Sequence, residues 1–252
     1  MPHILHIPIK AAGELPRALY RVLYANLLRW LAIVEPDVAQ EVHDRPVRKP
    51  FTISGLEESP DRRTWTWRVT LMEDELLALV SEVAYRGDGL DLGRKHCDVQ
   101  WPDSKVASVS YDDLASKAGD ETYLRMAFVS ATTFAAGRLD SPLPEPNAVF
   151  HSWLSRWNDF APPNCRMSAS LLDVVREHVA VAEIRNMHTE RHDLGRSSPV
   201  GCVGQVTYAV VRSQSLSRAE VTQINALASY AEFCGTGRKT TLGMGQTRRL
   251  YG

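Results

Sequence analysis

Hydrophobic and polar positions follow two different periods along this chain, and the changes between them mark the elements. Residues 4–9 (ILHIPI) alternate as a strand does. From Glu14 to Val34 the apolar residues Leu15, Leu19, Val22, Leu23, Leu27, Trp30 and Val34 recur at three- and four-residue spacing. That spacing makes one apolar face of a helix, with Arg17, Arg21 and Tyr24 opposite. Pro36 and Pro46 punctuate the next segment, and VAQEVH predicts a short extra helical turn. Residues 50–56 and 64–72 read as strands, the second supported by Thr and Trp alternating at 64–67. Residues 74–86 predict an amphipathic helix that opens on acidic residues, which suits its positive N-terminal end. Residues 96–111 supply a further strand or hairpin.

The order is β-α-β-β-α-β, the ferredoxin-like pattern. Residues 112–121 (DDLASKAGDE) are polar, show no apolar period and read as an inter-domain linker. Beyond it lies a second block, with strands at 122–130, 179–187 and 203–212 and helices at 146–159, 168–178 and 217–233. The last helix runs into a glycine-rich loop, and MGQTRRLY closes the chain as a strand. The expected fold class is therefore α+β, with two tandem ferredoxin-like (RRM-like) domains. They span 1–111 and 122–252.

Composition narrows the functions available. The chain has 252 residues, 44% hydrophobic and 23% charged, with a formal net charge of −1. A protein that simply coats nucleic acid is thereby disfavoured, because non-specific phosphate binding scales with positive contacts. The charge is uneven, and residues 181–252 form the positive end. The cysteines Cys97, Cys165, Cys202 and Cys234 make no C-x-x-C pair, which argues against a zinc knuckle or a thioredoxin-type site. His96 next to Cys97 has no further ligands spaced to join it. No metal and no cofactor is expected. The N-terminus lacks the pattern of a signal peptide, and no apolar run approaches the roughly 20 residues of a membrane helix. A cytoplasmic protein without a membrane partner is the expectation.

The densest chemistry lies in GTGRKTTLGMGQ, residues 235–246. Gly235, Gly237, Gly243 and Gly245 bracket Arg238, Lys239, Thr240 and Thr241. A P-loop needs Gly-Lys followed directly by Ser or Thr, and here Arg238 separates Gly237 from Lys239. The Rossmann fingerprint joins a strand to a helix, and this loop joins a helix to a strand. Gly235 fits the cap position after the preceding helix. The remaining glycines, together with the positive charge and hydroxyls, suggest an anion nest for a polyphosphate backbone.

YAEFCGTGRKTTLGMGQ (230–246) resembles the C-terminal motif of the CRISPR-associated repeat-processing endoribonucleases of the RAMP superfamily. PVGCVGQVTYAVV (199–211) is similar to that family's strand before the last helix. Residues 132–160 are similar to its central segment, and EVHDRPVRKPFTISGL (41–56) to its N-terminal one. The resemblance covers most of the chain in the right order and implies two ferredoxin-like domains. It further implies an RNA partner, CRISPR repeat RNA or the crRNA made from it, and an enzyme that cuts without metal. In that chemistry the ribose 2′-OH attacks the adjacent phosphate, leaving a 2′,3′-cyclic phosphate and a 5′-OH.

By the same resemblance His43 takes the proton-transfer role, since it stands just before R-P-V-R-K-P-F-T-I-S. Lys49 matches the family's lysine before F-T-x-S and would stabilise the transition-state charge, with Arg48 able to share that task. Some members add a tyrosine on the first helix. The register places Leu28 there, with Tyr24 and Trp30 only nearby. Arg29, on the flank of that helix, is a candidate second cation for RNA.

Other candidates are weighed against plainer readings. His188 and His192, beside Arg191 and Arg196, could touch RNA or sit in a solvated turn. Trp65 and Trp67 alternate on a strand, so one is expected to face the core and the other could stack on a base. His151, Trp153 and Trp157 read as helix packing. Two further functions stand beside the endoribonuclease: a repeat-RNA-binding subunit of a CRISPR complex with weak or no cutting, and a small-molecule enzyme whose glycine loop holds a nucleotide phosphate. A monomer or a homodimer is compatible with the sequence.

Overall fold

The opening alternation forms β1 (His3–Lys10), the strand around which the first sheet is built. In the computed structural model, residues 1–11, 19–46, 48–60, 64–93 and 95–251 are described. Contacts group them into two units. The first holds Met1–Ser108, Asp193–Ser197 and Thr241–Gly243; the second holds Val109–His192, Ser198–Thr240 and Met244–Gly252.

In the first unit, α1 (Leu19–Val34) and α2 (Pro36–Asp44) come after β1. The part of the expected first helix at 14–18 lies outside the described residues. Then come β2 (Phe51–Glu58), β3 (Thr64–Leu71) and α3 (Asp74–Arg86). β1 pairs antiparallel with β3 along its whole length, from His3 opposite Leu71 to Lys10 opposite Thr64. β2 pairs with the far side of β3. The other side of β1 is shared by two short strands. β5 (Lys95–Val99), in a hairpin with β4 (Leu90–Leu92), meets Ile9 and Lys10, while β6 (Lys105–Ser108) meets His3 to His6. The order is the ferredoxin-like one, with its fourth strand broken in two.

The core of this unit joins Leu23, Leu27 and Trp30 of α1, Val42 of α2 and Val80 and Val83 of α3 to Ile7, Ile9, Phe51, Ile53, Trp67 and Val69. α2 is more than the turn that the sequence predicts. Pro36 at its first helical position needs no N–H partner there, and Asp37 suits the positive helix start. Burial of Ala39 and Val42 anchors it. Of the alternating tryptophans, Trp67 is buried and Trp65 is half-buried, as the period of two requires.

In the second unit, α4 (Tyr111–Ser116) precedes β7 (Tyr123–Thr132). The segment read as a polar linker thus contains a helix whose Tyr111 and Leu114 are buried. Tyr111 meets Trp157 edge-on at 5.0 Å and shares a 3.2 Å hydroxyl contact with Tyr230. A short hairpin of β8 (Phe134–Ala136) and β9 (Leu139–Ser141), absent from the sequence reading, comes next. The chain continues through α5 (Pro146–Phe160), α6 (Leu171–His178), β10 (Val179–Arg191), β11 (Val200–Val210), α7 (Arg218–Cys234) and β12 (Thr247–Leu250). The sheet order β10-β11-β7-β12 is again ferredoxin-like. α7 starts with a capping box between Ser217 and Glu220. Among the described residues, no helix is long and apolar enough to cross a membrane.

Buried Asn26 of α1 pairs with β4 as a strand would. Its amide donates to the carbonyl of Asp91 at 2.6 Å, and its oxygen accepts the Asp91 N–H at 2.8 Å. Asn26→Leu leaves both backbone groups without these partners, at a cost of about 1–3 kcal/mol for each group left buried. The urea unfolding midpoint is expected to fall with little change in slope. An unchanged midpoint would show that water satisfies Asp91 in the variant.

Candidate active site and glycine loop

The apolar stripes of α1 and α2 decide which side chains are left to do chemistry. With Leu23 and Leu27 buried on α1, Tyr24 lies on the flank, packed against Phe51 at a ring separation of 5.8 Å. With Val42 buried on α2, the adjacent His43 is exposed on its last turn. Tyr24 and His43 meet: the phenol oxygen is 3.3 Å from His43 Nδ1. Partial burial raises the Tyr24 pKa, so the phenol stays protonated well beyond neutral pH. The tyrosine beside the histidine is therefore Tyr24, and the register that assigned this place to Leu28 is corrected. Leu28 belongs to the apolar packing around the core. The contact depends on how α1 and α2 are disposed, which periodicity does not report.

Lys49 takes a position that its place in the sequence does not foretell. Its ammonium donates to the carbonyls of Val42 at 2.9 Å, His43 at 2.5 Å and Arg45 at 3.3 Å. The first two belong to the last turn of α2, where carbonyls have no intrahelical partner, and the third to the turn after it. Desolvation lowers the Lys49 pKa, opposed by the nearby Asp44 carboxylate. Arg45 adds a second tie, with its guanidinium 3.1 Å from Glu73 and 3.4 Å from Glu41. Arg48 lies half-buried between these groups in the sequence.

Arg29 is largely committed to the fold. It donates to the carbonyl of Gly89 at 2.8 Å and to Asn26 at 3.3 Å, and it pairs with Asp91 at 3.5 Å. With Arg21, Asn26, Asp91 and Gly93 it lines an open cleft of about 350 Å³. His96 is exposed and hydrogen-bonds Asp91 at 2.7 Å, while Cys97 is buried. Among the described residues, no group of three His, Cys, Asp or Glu side chains is placed to hold a metal ion.

At its two ends the glycine loop spends its backbone donors within the second unit. Gly235 N–H donates to Ala231 at 2.9 Å, Thr236 N–H to Gly245 at 2.8 Å, and Arg238 N–H to Thr133 at 2.9 Å. Gly245 N–H donates to Ala131 at 3.1 Å, Gly237 N–H to the Ser152 hydroxyl at 2.8 Å, and Gln246 N–H to the Ser130 hydroxyl at 3.0 Å. The glycines are required by close approach. Gly237 (φ +76°) and Gly245 (φ +70°) hold left-handed conformations, and a Cβ there would overlap the carbonyls of Thr133 and Thr236. In the first unit, a Cβ on Gly243 would enter the ring of Tyr20.

α5 supports the loop from below. Besides Ser152, Trp153 donates to the Thr236 hydroxyl at 2.7 Å and buried Arg156 donates to the Gly237 carbonyl at 2.8 Å. Trp153 and Trp157 pack as expected. The polar duties of Ser152 and Arg156 escape the sequence reading, although the SWLSR spacing puts serine and arginine one helical turn apart. His151, expected to pack, is exposed. Of the loop residues expected to hold RNA, Gly235, Thr240, Gly243 and Gly245 are buried. Gly237, Lys239 and Thr241 are half-buried, and Arg238 is exposed with its guanidinium 2.7 Å from Asp140. Lys239 holds φ +57°, uncommon for a side-chain-bearing residue. At the end of β10 and just beyond it, His192 is buried, whereas His188, Arg191 and Arg196 are exposed.

With this geometry in place, comparisons identify the class. The family model of the CRISPR-associated endoribonuclease Cas6 matches residues 126–247. A Cas6 from Thermus thermophilus, solved as a product complex, matches with a TM-score of 0.84 and 26% identity, over 99% of this chain and 100% of that one. A second Cas6 product complex matches with a TM-score of 0.78 and 25% identity, over the whole of both chains. A RAMP protein described as binding different RNA substrates shares the fold at a TM-score of 0.58 and 14% identity, over 99% of this chain and 100% of that one. No curated relative matches the chain. The family match over residues 126–247 and the whole-chain likenesses agree: along its length the chain is similar to the Cas6 endoribonucleases.

The packing role of the glycines makes a graded prediction. Gly87 (φ +74°) has open space where a Cβ would go, so Gly87→Ala should cost only the left-handed penalty, about 1 kcal/mol. Gly245→Ala adds a backbone overlap and is expected to cost clearly more in chemical denaturation. Equal costs would show that the loop has room to move.

Proposed function

We propose that this protein is an endoribonuclease that binds CRISPR repeat RNA and cleaves the precursor transcript within repeats to give guide crRNAs. The observation that carries this reading is the Tyr24–His43 pair, held at 3.3 Å on two helices whose apolar faces are buried. The likeness over the full chain length to Cas6 product complexes supports RNA as the substrate.

Cleavage by 2′-OH attack needs a base for the attacking hydroxyl, an acid for the leaving 5′ oxygen and positive charge for the phosphate. His43 has Nδ1 beside the Tyr24 hydroxyl, so the other ring nitrogen is the one offered to substrate. In the tautomer with a proton on Nδ1, that N–H donates a hydrogen bond to the Tyr24 oxygen, and Nε2 is the lone pair that takes the 2′-OH proton. The Tyr24 hydroxyl, kept protonated by its raised pKa, is then free to donate to a phosphate oxygen. Arg48, one residue before the lysine that closes α2, is the arginine assigned to the developing phosphate charge. The leaving 5′ oxygen takes its proton from water, so the products are a 2′,3′-cyclic phosphate and a 5′-OH, and no metal enters the scheme.

For the glycine loop, the reading moves from backbone amides to side chains. Arg238, Lys239 and Thr241 are the accessible groups for an RNA backbone, on a loop whose end amides are bonded within the fold. Arg29 serves RNA only through the rim of its cleft. A binding subunit without cutting is the second reading. It is favoured by the engagement of Lys49 with carbonyls, which removes one expected cation from the chemistry.

His43→Ala is expected to reduce single-turnover cleavage by at least about 100-fold, the lower scale for removing a general base, with binding largely kept. Loss of binding in proportion to cutting would make His43 a structural residue. Arg238→Ala with Lys239→Ala should weaken RNA binding and flatten its salt dependence by about one to two phosphate contacts. An unchanged salt slope would remove the loop from the RNA interface.

A further inference from the structure

Lys49 is the clearest case of a residue whose surroundings disagree with the role that its sequence position suggests. A lysine ammonium has three N–H donors and no acceptor. Here three carbonyls stand round it, those of Val42, His43 and Arg45 at 2.9, 2.5 and 3.3 Å. The last carbonyls of a helix carry partial negative charge and lack intrahelical partners. A cation at that point satisfies both needs. The ammonium is also partly desolvated, the main cause of its lowered pKa.

We propose that Lys49 is a positioning residue, which closes the carboxyl end of α2 and so holds His43 against Tyr24, and that it is not a cation that meets the RNA phosphate. This rests on the assignment of cleavage to His43. The arrangement explains why lysine stands here. One nitrogen must reach three carbonyls that converge from Val42, His43 and Arg45. A guanidinium spreads its donors in a planar fork and cannot reproduce that geometry. The Arg45 pairs with Glu73 and Glu41 restrain the same turn from the other side, so Lys49 closes an end that is already partly fixed. His43 is on the last turn of α2, so fraying there would carry its ring away from the phenol.

The test compares Lys49→Arg and Lys49→Met with the wild-type chain by two readouts. The first is the nuclear Overhauser contact between the Tyr24 and His43 rings, whose centroids lie 6.4 Å apart. Positioning predicts its loss in both variants, with the remaining spectrum and the affinity for 2′-deoxy RNA preserved. Its survival in Lys49→Arg and Lys49→Met would overturn the proposal.

The second readout is the slowing of cleavage by a sulfur placed at a non-bridging oxygen of the scissile phosphate. Positioning predicts that both variants cut about 100-fold more slowly, the scale of a 1 Å misplacement. It also predicts the same sulfur effect in variant and wild type, and no rescue by the arginine. Rescue by Lys49→Arg, or a sulfur effect that vanishes in Lys49→Met, would place the ammonium on the phosphate and overturn the proposal. If Lys49→Met fails to fold, the arginine variant alone decides both readouts. If the wild-type chain cuts no RNA, the endoribonuclease reading fails, and the ring contact still decides what Lys49 holds.

Discussion

Burial of two short apolar stripes governs the candidate active site. Leu23, Leu27 and Trp30 fix the rotation of α1 on its sheet, and Ala39 with Val42 fixes α2. Once those residues are inside, helical geometry places Tyr24 and His43 outside and near each other. Neither side chain is itself fully buried, so the pair gains its order from neighbours. Tyr24 rests on Phe51, and the turn after His43 is tied by Lys49 and Arg45. A residue that transfers protons to RNA must be reachable yet restrained, and these contacts meet both demands.

The second unit solves a different problem. Its glycine loop lets backbone approach backbone, and α5 fills the space beneath with Ser152, Trp153 and Arg156. A loop whose donors were reserved for phosphate would leave them unpaired in the free protein, at a cost for every one that is buried. Here the amides at both ends of the loop are used in the fold, and Arg238 is exposed on it. Rigidity is what the glycines supply. Charge comes from a few positions on the rim.

Much of the fold is legible in the sequence because periodicity reports burial directly. The step from period two to period 3.6 locates β1, β3, α3, α5 and α7, and the βαββαβ order emerges twice. Short elements are harder. α2 has only two buried residues and shows in the sequence as no more than a turn, and the hairpin of β8 and β9 has no clear alternation and does not announce itself. His43 is found through resemblance, since an exposed histidine has no signature of its own. Tyr24 is visible on the correct face of α1, yet the sequence register favours Leu28, because the choice turns on the crossing of two helices. Lys49 stands where the resemblance puts it but with an unforeseen set of partners, as hydrogen bonds to main-chain carbonyls leave no trace in a sequence. The glycine pattern is ambiguous for the same reason: left-handed turns that bind anions and those that permit close packing look alike in sequence.

Cleavage of a repeat RNA from the source genome in EDTA, run beside a copy with a single 2′-deoxy residue just upstream of the cut, is the most direct test. Attack by the 2′-OH at a metal-free site predicts one cut in the normal RNA, with a 2′,3′-cyclic phosphate end, and an intact deoxy copy. Cutting of the deoxy copy, or a loss of all cutting in EDTA, would contradict that chemistry. If both RNAs bind and neither is cut, the chain is an RNA-holding protein, and His43 has no catalytic part in it.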